Sequence, residues 1–168
     1  DFGSKGGLHS QMKAFAVSLV ALWLAAVCRQ ALPDRLAIFG ARPDFLLVTA
    51  SCLGLLIPAP GSIVVGFFAG LIHSAMIGAN LAQYVLSRML ASYTASRIGE
   101  FEIEIGALLA GAATLGITIG AQLLMMFLAP PRSLSGYIGD TIQSAIYNAV
   151  IAVPLYAALR PLLKPKRT

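Results

Sequence analysis

The sequence predicts an all-α membrane protein, a bundle of six transmembrane helices with both termini in the cytoplasm. Three observations carry that prediction. Only 11% of the residues are charged while 58% are hydrophobic, against about 25% charged in an ordinary soluble domain. The mean hydropathy is +0.81. The apolar stretches are cut into six by proline, glycine and charged residues, and at about 20 residues per span a chain of 168 residues holds about six helices with short connections. No soluble catalytic domain fits beside them. The net charge of +5 reads as basic cytoplasmic loops and not as a nucleic-acid surface.

Residues 1–11, "DFGSKGGLHSQ", are Gly- and Ser-rich and read as a linker or tag remnant outside the fold. Residues 12–168 then form one membrane domain, with Met12-Lys13 opening it. The first span covers residues 14–32 and is stopped by Pro33-Asp34. The second covers 43–57, stopped by "PAPG" at 58–61. The third covers 62–77 and the fourth 80–96, closed by Arg97. The fifth runs over 103–128, stopped by Pro130-Pro131, and the sixth over 137–163, ending in "KPKRT". Helices are expected throughout, because a helix satisfies its own backbone in lipid and an open strand does not. The alternation of a membrane barrel is absent.

Basic residues set the expected orientation. With the N-terminus inside, Lys5, Lys13, Arg97, Arg160, Lys164, Lys166 and Arg167 fall on the cytoplasmic side, against Arg29, Arg35, Arg42 and Arg132 outside. The excess favours cytoplasmic termini. Gly66/Gly70 and Gly116/Gly120 are both GxxxG pairs, and Ala21/Ala25 is a small-xxx-small pair. Such faces let helix backbones approach closely, and all three read first as packing within the bundle. Cys28 and Cys52 lie in apolar runs and read as small buried thiols.

The polar residues inside the spans concentrate toward one side. Asp44 opens the second helix, where Pro43 suits a first turn and a carboxylate suits the dipole. His73 lies near the end of the third. Asn80, Tyr84 and Arg88 are four apart on the fourth helix, with Gln83 beside them. Asp140, Ser144 and Asn148 repeat the spacing on the sixth, with Gln143 and Tyr147 alongside. Residues four apart share a helix face. Two facing polar stripes are expected to line a wet cavity open to the outside. Arg88 costs about 2.5–3.5 kcal/mol at a helix centre in lipid, so it is expected to point inward. Water, backbone carbonyls or a carboxylate, Asp140 or Asp44, would satisfy it, and an Arg88–Asp140 pair is the specific expectation. Asp44, His73, Asn80, Gln83, Tyr84, Arg88, Asp140, Gln143 and Asn148 are thus the candidate pocket or partner residues. No nucleophile elbow, HExxH, P-loop or metal-ligand spacing occurs. No enzyme and no cofactor is expected.

The strings "LAIFGARPDFLLVTASCLGLL" and "PGSIVVGFFAGLIHSAMIGANLAQYVLSRMLASYTASRI" resemble the rod shape-determining protein MreD family. Pro43-Asp44 matches the family's Pro-Asp pair, Gly66, Gly70 and Leu71 its glycine-punctuated third helix, Gly78 and Arg97 the limits of its fourth, and Asn148 and Pro154 its final helix. The resemblance covers residues 12–164. It departs at His73-Ser74, where the family often has an acidic residue. The resemblance implies a fold similar to the six-helix substrate-binding component of energy-coupling factor transporters, in the bacterial inner membrane. It implies a non-enzymatic scaffold of the cell-elongation complex that binds MreC. Through MreC it would link to a RodA-type glycosyltransferase, a class B penicillin-binding protein and, indirectly, the MreB cytoskeleton. Membrane lipid is the remaining partner, and no nucleic acid is implied. The alternative is a solute-binding component of a vitamin transporter, using the same outer cavity.

Overall fold

A computed structural model describes residues 3–31, 43–78, 80–101 and 105–163, with side chains from Gln11 onward. Among these residues there are six α-helices: α1 (Gly3–Ala31), α2 (Phe45–Gly54), α3 (Ala59–Ile77), α4 (Leu81–Gly99), α5 (Ala107–Leu128) and α6 (Leu134–Leu163). No strand occurs among them. Arg35, Arg42, Lys164, Lys166 and Arg167, on which the expected orientation leans, lie outside the described residues.

Among the described residues, four helical stretches are long and apolar enough to cross a membrane: Gln11–Ala31, Ala59–Ile77, Ala107–Leu128 and Leu134–Leu163. The other two expected spans differ for separate reasons. Helix α2 has only 10 residues, about 15 Å of helix against a hydrocarbon core of about 30 Å. Helix α4 has 19 residues but is rich in serine. At its start, α1 runs back to Gly3, so residues 3–11, expected outside the fold, extend the first helix. No proline interrupts them, and extending an existing helix is far easier than nucleating one.

The surface is more apolar, and the interior holds more polar side chains, than in a soluble bundle. Ile138, Ile142, Ile146 and Val150 form an exposed stripe on α6, and Phe15, Leu19, Trp23 and Val27 are exposed on α1. The buried set includes Ser87, Ser92 and Ser96 of α4, Thr114 and Thr118 of α5, and Asn148 of α6. An apolar surface of this extent is at home in lipid.

The short α2 is the axis of the bundle. Nine of its residues, Leu46 through Gly54, are buried, as expected of a helix apolar on every side. Its start is fixed by Asp44, whose Oδ1 accepts from the Leu47 N–H at 3.0 Å. Helix α4 lies against it through small residues. Ser92 Oγ donates to the Ala50 carbonyl at 3.1 Å, and Ser96 Oγ to the Ile57 carbonyl at 2.9 Å. A Cβ on Gly54 would lie 2.5 Å from the Ser92 carbonyl oxygen, so only glycine permits that approach.

Helix α3 opens with Pro60 in its first turn, where the missing N–H is harmless. It ends at Gly78, whose φ of 73° is the left-handed cap that glycine adopts without strain. Gly66 and Gly70 lie directly on the α4 backbone at Arg88–Met89 and Tyr84–Val85. The second GxxxG pair behaves differently. Nothing lies within 4 Å of a Cβ on Gly116 or Gly120.

Candidate functional site

The polar residues converge on Asp44. Its position at the N-terminus of α2 places the carboxylate where α1 ends and where α3, α4 and α6 pass. Arg88, in the third turn of α4, ion-pairs through Nη2 with Asp44 Oδ2. Its Nη1 donates to Ser87 Oγ at 3.2 Å. His73 Nδ1 lies 3.2 Å from Arg88 Nη2 and 3.5 Å from Asp44 Oδ1. It accepts from the guanidinium when Nε2 carries the proton and donates to the carboxylate when Nδ1 does. Tyr84 stacks on His73, with ring centroids 4.3 Å apart and planes at 17°. The Arg88 guanidinium carbon stands 5.2 Å from the Tyr84 ring centroid, within cation–π range.

From α6, Asn148 Oδ1 accepts from the Asp44 backbone N–H at 3.0 Å, and its Nδ2 donates to Thr118 Oγ1 of α5 at 3.4 Å. Arg29 of α1 approaches from outside, its Nη1 4.0 Å from Asp44 Oδ1. Asp44 therefore draws in groups from five other helices: α1, α3 and α4 through its carboxylate, and α6 and, through Asn148, α5 by way of its backbone N–H. The cluster is closed: Arg88 is 4% exposed, His73 3% and Asn148 0%.

This arrangement corrects two expectations. The partner of Arg88 is Asp44, not Asp140. Asp140 is exposed, and it sits eight residues before Asn148, about 12 Å along the helix axis. Depth, more than angular face, decides which carboxylate Arg88 meets. The stripes also do not line an open cavity. Residues four apart advance about 40° per step around the helix, so each stripe winds from surface to interior. On α4, Asn80 is exposed, Tyr84 half-buried and Arg88 buried; on α6, Asp140 is exposed, Ser144 half-buried and Asn148 buried. The deep ends meet at Asp44.

Of the nine candidates, the structure gathers Asp44, His73, Tyr84, Arg88 and Asn148. Gln83 is apart, donating through Nε2 to the Leu128 carbonyl at 3.0 Å. Asn80 is the N-cap of α4, with a left-handed φ of 55°. Asp140 and Gln143 are exposed. Three participants escaped the sequence reading. Thr118 sits between the two glycines of a motif read only for packing, Ser87 is hidden beside Arg88, and Arg29 was counted only as a loop charge. Its place in the last turn of a span, within reach of a carboxylate opening the next, was the available signal.

Asn148 gives the first testable consequence. Asn148→Ala leaves the buried Asp44 N–H without its acceptor, which costs about 1–3 kcal/mol. Thermal unfolding in a mild detergent is expected to show a drop of that size. An unchanged midpoint would mean that the hydrogen bond contributes nothing.

Two grooves lie away from the cluster. One, of about 330 Å³, runs between α4 and α5 and is lined by Ser87, Leu90, Ala91, Thr94 and Ile98 on one side and by residues from Ala112 to Leu124, including Gly116 and Gly120, on the other. The second, of about 560 Å³, lies between α1 and the start of α3 and includes Phe15, Leu19, Pro58, Val64 and Phe68. Comparison of the chain with protein-family models, curated proteins and solved structures finds no match.

Proposed function

We propose that the chain is an MreD-type scaffold of the bacterial cell-elongation complex, held in the inner membrane with both termini in the cytoplasm. Its partner is MreC, and the groove between α4 and α5 receives the transmembrane helix of MreC. A RodA-type glycosyltransferase, a class B penicillin-binding protein and, indirectly, MreB complete the assembly.

The observation that supports this reading is the contrast between the groove and the polar cluster. The groove follows α5 from Ala112 to Leu124, about 18 Å of helix. Its walls are small and apolar, with only Ser87 and Thr94 polar. A solute site needs a few convergent polar groups to fix the ligand's orientation, and the groove offers only these two hydroxyls. Open glycines at helical spacing suit the backbone of another helix. The buried Arg88, His73 and Asn148 are meanwhile engaged with Asp44. The residues behind the family resemblance also act together, since Asp44, Gly66, Gly70 and Asn148 hold the bundle.

The test is co-purification from native membranes in mild detergent, with partners identified by mass spectrometry. The wild-type chain is expected to bring down an MreC-like protein and elongation synthases. A Gly116→Leu/Gly120→Leu variant is expected to lose that partner while keeping its elution profile and unfolding midpoint. Recovery of a membrane coupling subunit with ATPases would replace the scaffold reading with the vitamin-transporter one. Retention of MreC by the double variant would move the interface elsewhere.

A further inference from the structure

The Asp44 cluster is not electrically balanced, and its surplus lies at a lipid-facing edge. Asp44 supplies one negative charge to two guanidiniums. Its Oδ2 is taken by Arg88. Its Oδ1 already accepts from the Leu47 N–H at 3.0 Å and has His73 Nδ1 at 3.5 Å. Arg29 is left at 4.0 Å, too far for a hydrogen bond. A guanidinium carries five N–H donors, and among the described residues none of those on Arg29 has a hydrogen-bond acceptor. The Nε of Arg88 is likewise buried without one. Residues 32–42 carry Arg35 and Arg42 against Asp34, so the connection adds positive charge, not negative.

The place of Arg29 decides what could balance it. It lies in the last turn of α1, and its side chain is 25% exposed. The two preceding turns of α1 show Trp23, Leu24 and Val27 to the outside. An exposed tryptophan near the end of an apolar helix marks the headgroup level. The guanidinium therefore meets lipid headgroups, and its planar fork matches a phosphate in two-point contact.

We propose that Arg29, backed by the buried Arg88, is a headgroup site for an anionic phospholipid at the seam between α1 and α2. The phosphate binds on the side of Arg29 away from Asp44. This lipid also fastens α1 to the bundle, because the approach of Arg29 to Asp44 is the only polar contact between α1 and other helices among the described side chains. Ser18, a buried polar residue of α1, donates to its own helix at Ala14. The inference does not depend on the scaffold reading.

The test uses the full chain in mild detergent, with thermal unfolding and native mass spectrometry as readouts. Phosphatidylglycerol is compared with phosphatidylcholine of the same acyl chains. Phosphatidylglycerol is expected to raise the wild-type midpoint several degrees further, as a ligand of the folded state does, and to remain bound in the gas phase. Arg29→Gln is expected to lose most of that extra rise, whereas Lys13→Gln, on an exposed residue of the same helix, keeps it. Equal effects of the two lipids on the wild type, or an extra rise that survives in Arg29→Gln, would overturn the proposal. Inorganic phosphate is expected to do nothing, and a matching rise with it would overturn the lipid assignment. Should Arg29→Gln not fold, the wild-type lipid comparison and its retained mass decide the question alone.

Discussion

Asp44→Leu is expected to be the most damaging single substitution in the chain. It removes the only carboxylate within reach of Arg88 among the described residues and leaves that guanidinium buried and unpaired, a situation that costs about 3–5 kcal/mol. It also removes the cap on the Leu47 N–H, which adds about 1 kcal/mol. Loss of monodisperse protein, or exposure of the buried Cys52 thiol to a maleimide at a lower temperature, would report it. The double variant Asp44→Leu/Arg88→Leu is expected to recover part of the loss, because a buried ion pair replaced by apolar groups is often nearly neutral. Asp140→Leu is the control. Its side chain is exposed, so the change is expected to stay within about 0.5 kcal/mol. Equal damage from the Asp44 and Asp140 variants would refute the assignment of the Arg88 partner.

The second large effect separates two motifs that look alike in the sequence. A Cβ on Gly66 would stand 2.5 Å from the Arg88 carbonyl oxygen and 2.7 Å from Met89 Cα. Both are backbone atoms, so α3 and α4 must part. Gly66→Leu is expected to cost at least the roughly 1–3 kcal/mol of an overpacked core, and more because the shift displaces Arg88 from Asp44. A Cβ on Gly116 meets no atom within 4 Å, and Gly116→Leu, with the α4–α5 groove to receive its side chain, is expected to leave unfolding unchanged. Size-exclusion profiles and unfolding midpoints of the two variants make the comparison. Indistinguishable variants would mean that the α4–α5 groove is not open.

Much of the fold is legible in the sequence because its punctuation is physical. Pro58 and Pro60 mark the start of α3, Gly78 caps its end, and Pro130-Pro131 separate α5 from α6, while the low charge demands lipid. The existence of a partner for Arg88 was equally legible, since an isolated guanidinium is too costly there. Its identity was not. Helical spacing relates residues within one helix, whereas the choice between Asp44 and Asp140 depends on how deep each sits once the helices are docked. The difference between Gly66/Gly70 and Gly116/Gly120 fails to show for the same reason: both are GxxxG, and only the neighbour's position separates a filled contact from an open one. Helix α2 looked like a short span because its composition is that of one. Its burial on every side is a property of the bundle.

The central place of α2 has a consequence for biogenesis. Asp44 enters the growing chain 44 residues before Arg88. During that interval its charge has no buried partner, and an ionised carboxylate carried unpaired into an apolar surrounding is costly. A ten-residue helix gains too little from lipid to overcome that. Helix α2 is therefore expected to wait at the membrane surface and to descend only when α4 arrives with Arg88, Ser92 and Ser96. Synthesis order and insertion order are then expected to differ, and a chain truncated before residue 88 is expected to leave its second helix outside the hydrocarbon core.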